Sequence, residues 1–272
     1  MKRLFTLVIA LMVSGYVAVS DARSEPQELR RLIVGLYDGR EVKGPGFTRV
    51  HTIATMPLNH LGFVVKQYDV SKGLPPDEVV AKAHGIFTWF LSPVGTDRSA
   101  FLSWANKQVD AGRRFVIFGH PGAERSELSS LDRRQFDLLM RRIGVNWENG
   151  WVGLTYDTRV KTLDRRLYEF ERKLPLVLPA YPLVTPSDPT VRSLLVVSDK
   201  SSGRNSHLAL IGPMGAYVAP QYAVFLTERG DETRRAWYLN PFEFFRHAFK
   251  TDALPKPDTT TLSGRRVYYS HI

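Results

Sequence analysis

The sequence predicts an α/β fold built on a doubly wound, mainly parallel sheet, carried by a single domain behind a signal peptide. Three observations predict it. Four short apolar runs recur along the first half of the chain, each of strand length and apolar almost throughout, the pattern of strands buried on both faces. Segments with helical spacing of apolar residues separate them. The 272 residues, 43% apolar and 24% charged, suffice for a sizeable core and exclude a disordered polymer or a coiled coil.

The first element is an export signal. Lys2 and Arg3 form a positive start, Leu4 to Val13 an apolar stretch, and Ser20-Asp21-Ala22 a small-residue cleavage site. Cleavage after Ala22 would leave a periplasmic or secreted chain with no stable membrane anchor. The rival, an uncleaved anchor over 4–19, is short for a span and contains Ser14, Gly15 and Tyr16. The expected organisation is a signal peptide over 1–22, a Rossmann-like α/β domain over 23–250, and a linker with the start of a following domain over 251–272.

Within the domain, Leu32 to Tyr37 reads as a strand ending in the turn Asp38-Gly39-Arg40. Residues 46–60 have helical spacing, with Val50, Ile53, Ala54 and Leu58 apolar. Residues 63–68 form the second strand, and Pro75-Pro76-Asp77 starts a short helix. Residues 86–90 form the third strand. Thr96 or Asp97 caps a helix with the stripe Phe101, Leu102, Trp104, Ala105 and Val109, and Gly112 ends it. The fourth strand is 115–118. Asp132 to Ile143 is an amphipathic helix stopped by Gly144. Alternation of this kind predicts a flavodoxin- or class I amidotransferase-like sheet with right-handed crossovers. Strand signals return at 194–197, 207–211, 216–226 and 236–239, and Asn240-Pro241 caps a last helix over 242–249. Residues 145–195, with Pro175, Pro179, Pro182, Pro186 and Pro189, forbid long helices. This half reads as extra strands completing the same sheet.

The chemistry is sparse. Cysteine is absent, which excludes thiol nucleophiles, thiolate metal sites and disulfides. Neither GxGxxG after the first strand nor GxxxxGK[ST] anywhere is present, so no cofactor is expected. The seven histidines lack the i, i+3 or i, i+4 pairing of a helical metal site, and no metal is expected. The net charge of +10 is carried by 37 Lys and Arg, 26 of them Arg, in scattered pairs rather than one tail. Solvated faces explain such pairs; attraction to an acidic polymer is the other reading, and no nucleic acid is expected.

In a sheet of this kind ligands bind at the carboxyl ends of the strands. That rule singles out Asp38, Gly39 and Arg40 after the first strand, Asp69 after the second, Ser92 after the third and His120, in Gly119-His120-Pro121-Gly122, after the fourth. In related sheets a nucleophile occupies that slot; here it holds neither Cys nor Ser. Each residue has a plain structural role open to it: Asp and Gly make turns, and a turn histidine often only packs. Trp89, Trp147 and Trp151 fall near strand ends, where indoles either fill the core or offer a face to a sugar.

Several phrases resemble a known family. They are Leu36-Tyr37-Asp38, Met56-Pro57-Leu58-Asn59-His60-Leu61-Gly62, Trp104 with Asp110-Ala111-Gly112-Arg113-Arg114-Phe115, and the tail from Asp258 to Ile272. Together they are similar to the Rossmann-like region that precedes the deacetylase domain in Pel-type bifunctional glycoside hydrolase/polysaccharide deacetylase proteins. The resemblance covers 30–272 and adds Asn59 and His60 to the candidate ligand contacts. It implies a non-catalytic α/β region linked to exopolysaccharide modification, with a polysaccharide or a following deacetylase domain as partner. The deacetylase's metal-binding Asp and His have no counterparts here. The alternative is a degenerate amidotransferase- or hydrolase-like enzyme acting on a carbohydrate or small substrate, with His120 and Asp38 near its site.

Overall fold

The computed structural model describes residues 30–251, apart from 96, 154–156, 175–179, 201–202 and 230–231. The expected signal peptide, the tail beyond Thr251, Thr96, Pro175 and Pro179 lie outside the described residues.

Four strands form at the four apolar runs: β1 (Leu32–Tyr37), β2 (Val64–Asp69), β3 (Ala83–Phe90) and β4 (Arg114–Gly119). They pair in parallel, in the order β2-β1-β3-β4. The helices between them are α1 (Thr55–His60), α2 (Asp77–Ala81), α3 (Arg98–Asp110) and, after β4, α4 (Ser130–Arg142). A wide π-helical turn over Val50–Ala54 leads into α1. Pro57, which has no N–H to donate, stands just ahead and prevents one regular ladder from running through 50–60. Asp97 caps α3 by accepting from Ser99 N at 2.9 Å and Ala100 N at 3.1 Å. Ser129 caps α4 through Asp132 N.

The second half overturns the mainly parallel, doubly wound reading. It contributes β5 (Val145–Val152), β6 (Thr158–Thr162), β7 (Tyr181–Pro186), β8 (Arg192–Asp199), β9 (Arg204–Gly212), β10 (Gly215–Val218), β11 (Val224–Arg229), β12 (Glu232–Trp237) and the helix α5 (Pro241–Ala248). β10 extends the parallel set beside β4, but β9, β8 and β6 then run antiparallel. The result is a mixed eight-stranded sheet, ordered β2-β1-β3-β4-β10-β9-β8-β6. Two antiparallel ribbons, β5–β7 and β11–β12, form separate ladders, and β7 packs on β9 through Ser206. The fold is therefore not the doubly wound, mainly parallel flavodoxin-like sheet that the sequence predicts. The cause is connection length. Only Pro213 and Met214 separate β9 from β10, and a link that short joins antiparallel neighbours, whereas a parallel pair needs a crossover of roughly a dozen residues or more.

The stretch read as irregular holds both strands of the first ribbon. Pro182 and Pro186 lie within β7, which among the described residues pairs only with β5, so missing N–H donors are tolerated. The signal over 216–226 splits into β10 and β11.

The core lies on both faces of the sheet. Phe87 meets Phe245 of α5 at 5.5 Å between ring centroids, while Phe90 meets Phe101 of α3 at 6.0 Å. Side chains an odd number apart on a strand point to opposite faces. Thus α5, packed on α1, covers one face, and α3 with α4 covers the other. Val34, Phe87 and Ile117 are buried as their runs predict. Val65 is only half-buried, because β2 is the edge strand of the sheet.

Candidate functional site

The carboxyl ends of β1, β2 and β3 are tied together by three carboxylates. Asp38, 1% exposed, accepts from Arg40 Nε at 3.0 Å and Arg40 Nη2 at 2.8 Å, and from the backbone N–H groups of Arg40 and Gly95 at 3.0 and 3.1 Å. Asp69 accepts from Gly39 N at 2.8 Å, Ser71 N at 3.0 Å and Ser71 Oγ at 2.6 Å. Glu41 accepts from Leu91 N, Ser92 N and Ser92 Oγ at 2.7–3.0 Å through Oε1. Burial alone would push the Asp38 carboxyl up. The Arg40 side chain, the two N–H donors and the Arg40 charge outweigh it and hold the group below the usual carboxylate range. Asp69 follows the same pattern, with Ser71, Gly39 and Lys72 overcoming burial. The Arg40 guanidinium passes so close to Gly95 that a Cβ there would lie 1.6 Å from its Cζ, so a side chain at 95 would push the guanidinium out of its present place.

These loops border a cleft of about 570 Å³. Tyr37 and Trp89 contribute its aromatic floor, Phe47 its rim, and Asp38, Glu41 and Arg235 its polar groups. Trp89 is 7% exposed and packs edge-on against Phe118 at 5.0 Å, so only a margin of the indole reaches the cleft. Phe47 is 71% exposed. Arg235 Nη1 donates to the Thr52 carbonyl at 2.8 Å, which fastens β12 to the π-turn across the opening.

His120 stands on the same edge. Val94 N donates to Gly122 O at 2.8 Å, which joins the loop after β4 to the loop after β3. His120 is buried, its Nδ1 accepts from Gly122 N at 3.1 Å, and its Nε2 lies 2.9 Å from Glu124 Oε1. An accepting Nδ1 assigns the ring proton of the neutral imidazole to Nε2, where it donates to Glu124. The bond from His120 lowers the Glu124 carboxyl against the opposing effect of burial, and the Trp151 side chain and Arg98 add to it. A smaller hollow of about 260 Å³ opens here between Glu124, Ser126, Trp147 and Trp151. Trp151 is 42% exposed, whereas Trp147 is buried against Phe136 and Tyr217.

The turn before His120 is made by Gly119 at φ +76°. A Cβ at this position would meet the Phe90 carbonyl oxygen at 2.4 Å. Backbone conformation and contact both exclude a side chain at position 119.

Of the residues singled out from the sequence, Asp38, Arg40, Trp89 and His120 share the carboxyl edge. Asn59 and His60 do not. They end α1, which runs back along the sheet, and the chain there meets the start of β1 through Val64 N donating to Arg31 O at 2.8 Å. His60 packs edge-on against Phe242 at 4.9 Å, at the amino edge. Glu41, Glu124 and Arg235 were missed. For Glu124 a signal existed, since it follows His120 by four residues and follows the same strand end. Among the described residues no group of three or more His, Asp or Glu is placed to hold a metal ion, and no helix is long and apolar enough to cross a membrane.

No protein-family model and no curated protein matches the chain. Among solved structures, the crystal structure of a cold-adapted β-galactosidase from Rahnella sp. R3 is similar at 17% identity and a TM-score of 0.42, covering 86% of this chain and 33% of that one. The chain thus spans about a third of that enzyme's length, and a likeness this loose carries no argument for fold or function.

Proposed function

We propose that the chain is an exported, non-catalytic α/β region that binds glycan in the service of exopolysaccharide modification, alongside a deacetylase domain. The observation that carries the reading is the cleft at the carboxyl edge, where aromatic groups border carboxylates already committed to the loops. Phe47 supplies an exposed apolar face of the kind sugars stack on, and Tyr37 and Trp89 offer ring margins behind it. Asp38 and Glu41 spend their lone pairs on backbone N–H groups and on Arg40 and Ser92, an arrangement suited to a fixed binding wall rather than to proton transfer. The similarity of residues 30–272 to the region before the deacetylase supplies the ligand class.

The test is titration of the purified chain with N-acetylhexosamine oligomers, read by tryptophan fluorescence. Saturable binding is expected. Phe47→Ala, at an exposed position, is expected to weaken it about three- to tenfold, since one aromatic contact is worth ~0.5–1.5 kcal/mol. A flat titration, or an unchanged affinity in the variant, would remove the cleft as the binding site.

A second reading, a degenerate amidotransferase- or hydrolase-like enzyme, is favoured by the His120–Glu124 pair beside the Trp151 hollow. Against it, both imidazole nitrogens are engaged and Gly119 leaves the turn without a nucleophile. Turnover of an acetylated oligomer that disappears in Glu124→Gln would reverse the preference.

A further inference from the structure

At the amino edge of the sheet, opposite the glycan cleft, Arg114 opens β4. Its side chain is buried, yet among the described residues no carboxylate pairs with it. The guanidinium instead donates to three carbonyls, those of Ala248, Pro213 and Gly212. Three of its five N–H groups are thereby used and two remain. Carbonyl dipoles satisfy hydrogen bonds but carry no net charge. Ala248 ends α5, whose carboxyl terminus contributes at most about half a negative charge. Burial lowers the guanidinium to about 10, so it stays charged at neutral pH. A buried charge without an opposite charge is costly, and an incoming anion would offset that cost.

The side chain borders a hollow of about 350 Å³ whose lining combines Thr190, Arg192, His247 and Lys250 with the apolar Ile211 and Pro213. Arg192 is already paired with Asp164. Lys250 is exposed, and among the described residues it makes no ion pair. It holds a left-handed backbone at φ +51°, with its N–H on the His247 carbonyl. The positive field extends along the edge. Burial lowers both His84 and Arg113; the Arg114 and Arg30 charges add to it at His84 against the Phe249 carbonyl, and the Arg30 charge adds to it at Arg113 against Asp77. These basic groups come from the starts of β1, β3 and β4 and from the end of α5, so the topology gathers charge that is scattered in the sequence.

We propose that this amino-edge hollow is an oxyanion-binding site, in which Arg114 and Lys250 receive a carboxylate or phosphate group of an anionic ligand. The site is independent of the glycan cleft. A uronic acid unit and a phosphoryl group share the chemistry it would recognise, and they are separated by the probes used.

The test is calorimetric titration of the whole chain with inorganic phosphate and, separately, with galacturonate, at constant ionic strength set by chloride. Saturable binding of at least one, at about one per chain, is expected, and the one that binds identifies the source. Lys250→Asn removes the charge while keeping a residue that tolerates the left-handed backbone. It is expected to weaken binding about tenfold, the value of one charge-assisted hydrogen bond. Lys66→Asn, an equal charge loss on the far edge strand, is expected to leave it unchanged. Arg114 itself is a poor probe, because its loss would strand three carbonyls. Failure of both anions to bind, or equal weakening by the two lysine variants, would overturn the proposal and leave Arg114 as a clamp on the end of α5.

Discussion

Arg40 turns back onto Asp38, two residues earlier, and closes a two-pronged ion pair with Nε 3.0 Å from Oδ1 and Nη2 2.8 Å from Oδ2. The carboxylate is buried while the guanidinium is half-exposed, so the pair works as a pin driven from the surface into the ends of β1 and β3. Gly95 N and the Pro93 carbonyl complete the pin from the neighbouring loop.

Asp38→Asn keeps the size of the side chain and removes its charge. An expected loss of about 1–3 kcal/mol follows, because charge-assisted bonds become neutral and an amide NH₂ is set against N–H donors. The pH dependence has a definite sign. The folded carboxyl lies below its unfolded value, so its contribution is complete above about pH 4 and is lost as pH falls through the lower, folded value. Urea unfolding at pH 7 and in the acid range should show a gap between wild type and variant that narrows as pH falls. A gap that widens in acid would contradict the ion-pair account.

Gly119→Ala is expected to cost about 1–3 kcal/mol, since it combines a left-handed backbone with a Cβ driven toward the Phe90 carbonyl. Thermal unfolding reads the loss. An alanine accepted without penalty would mean that the turn can relax, and that a nucleophile there is sterically admissible after all.

The parallel half was legible because its signals are local. Continuous apolar runs mark β1, β3 and β4, Asp97 marks the start of α3, and Gly112 and Gly144 close α3 and α4 at φ +80° and +101°. The sheet's mixed character was not read, because apolar content does not distinguish parallel from antiparallel burial; the two-residue link at Pro213-Met214 does, and its length went unused. The misplacement of Asn59 and His60 is of the same kind. In a strand–helix–strand crossover the helix returns the chain to the amino edge, so the end of α1 lies far from the end of β1 whatever residues it carries. The carboxyl-edge rule found Asp38, Arg40, Asp69, Ser92 and His120, which sit at or just after strand ends. It missed Glu41 and Arg235, whose partners at Leu91, Ser92 and Thr52 are distant in sequence.

His84 and His207 predict a loss of stability in mild acid. Burial lowers both; for His84 the Phe249 carbonyl, 2.6 Å from Nε2, opposes this, and the charges of Arg114 and Arg30 add to it. Each ring is neutral in the fold and takes up a proton more readily when unfolded. Stability is therefore fully present above about pH 6.5 and falls as pH drops toward the lower, folded values. In the double variant His84→Gln/His207→Gln the slope of Tm against pH between about 5 and 7 should flatten. An unchanged slope would assign it to other groups.

Phe245 carries the last expectation, which concerns how the C-terminal helix is held. Its ring is fully buried, stacked on Phe118 at 5.6 Å and 16°, edge-on to Phe87 at 5.5 Å and 89°, and stacked on Phe249 at 6.1 Å. These contacts join α5 to the middle of the parallel strands across more than a hundred residues of sequence. If α5 is part of one cooperative core, Phe245→Ala removes a whole ring from close packing and costs about 3–5 kcal/mol through transfer and cavity terms. Phe47→Ala, at the exposed rim, should stay within about 0.5 kcal/mol. Urea unfolding followed by both tryptophan fluorescence and far-ultraviolet circular dichroism separates the possibilities. Coincident transitions, shifted strongly only by Phe245→Ala, fit a single core. A small shift, or an early transition in one signal alone, would mean that α5 lies on the sheet as a separately melting cover and that the aromatic cluster contributes far less than its burial implies.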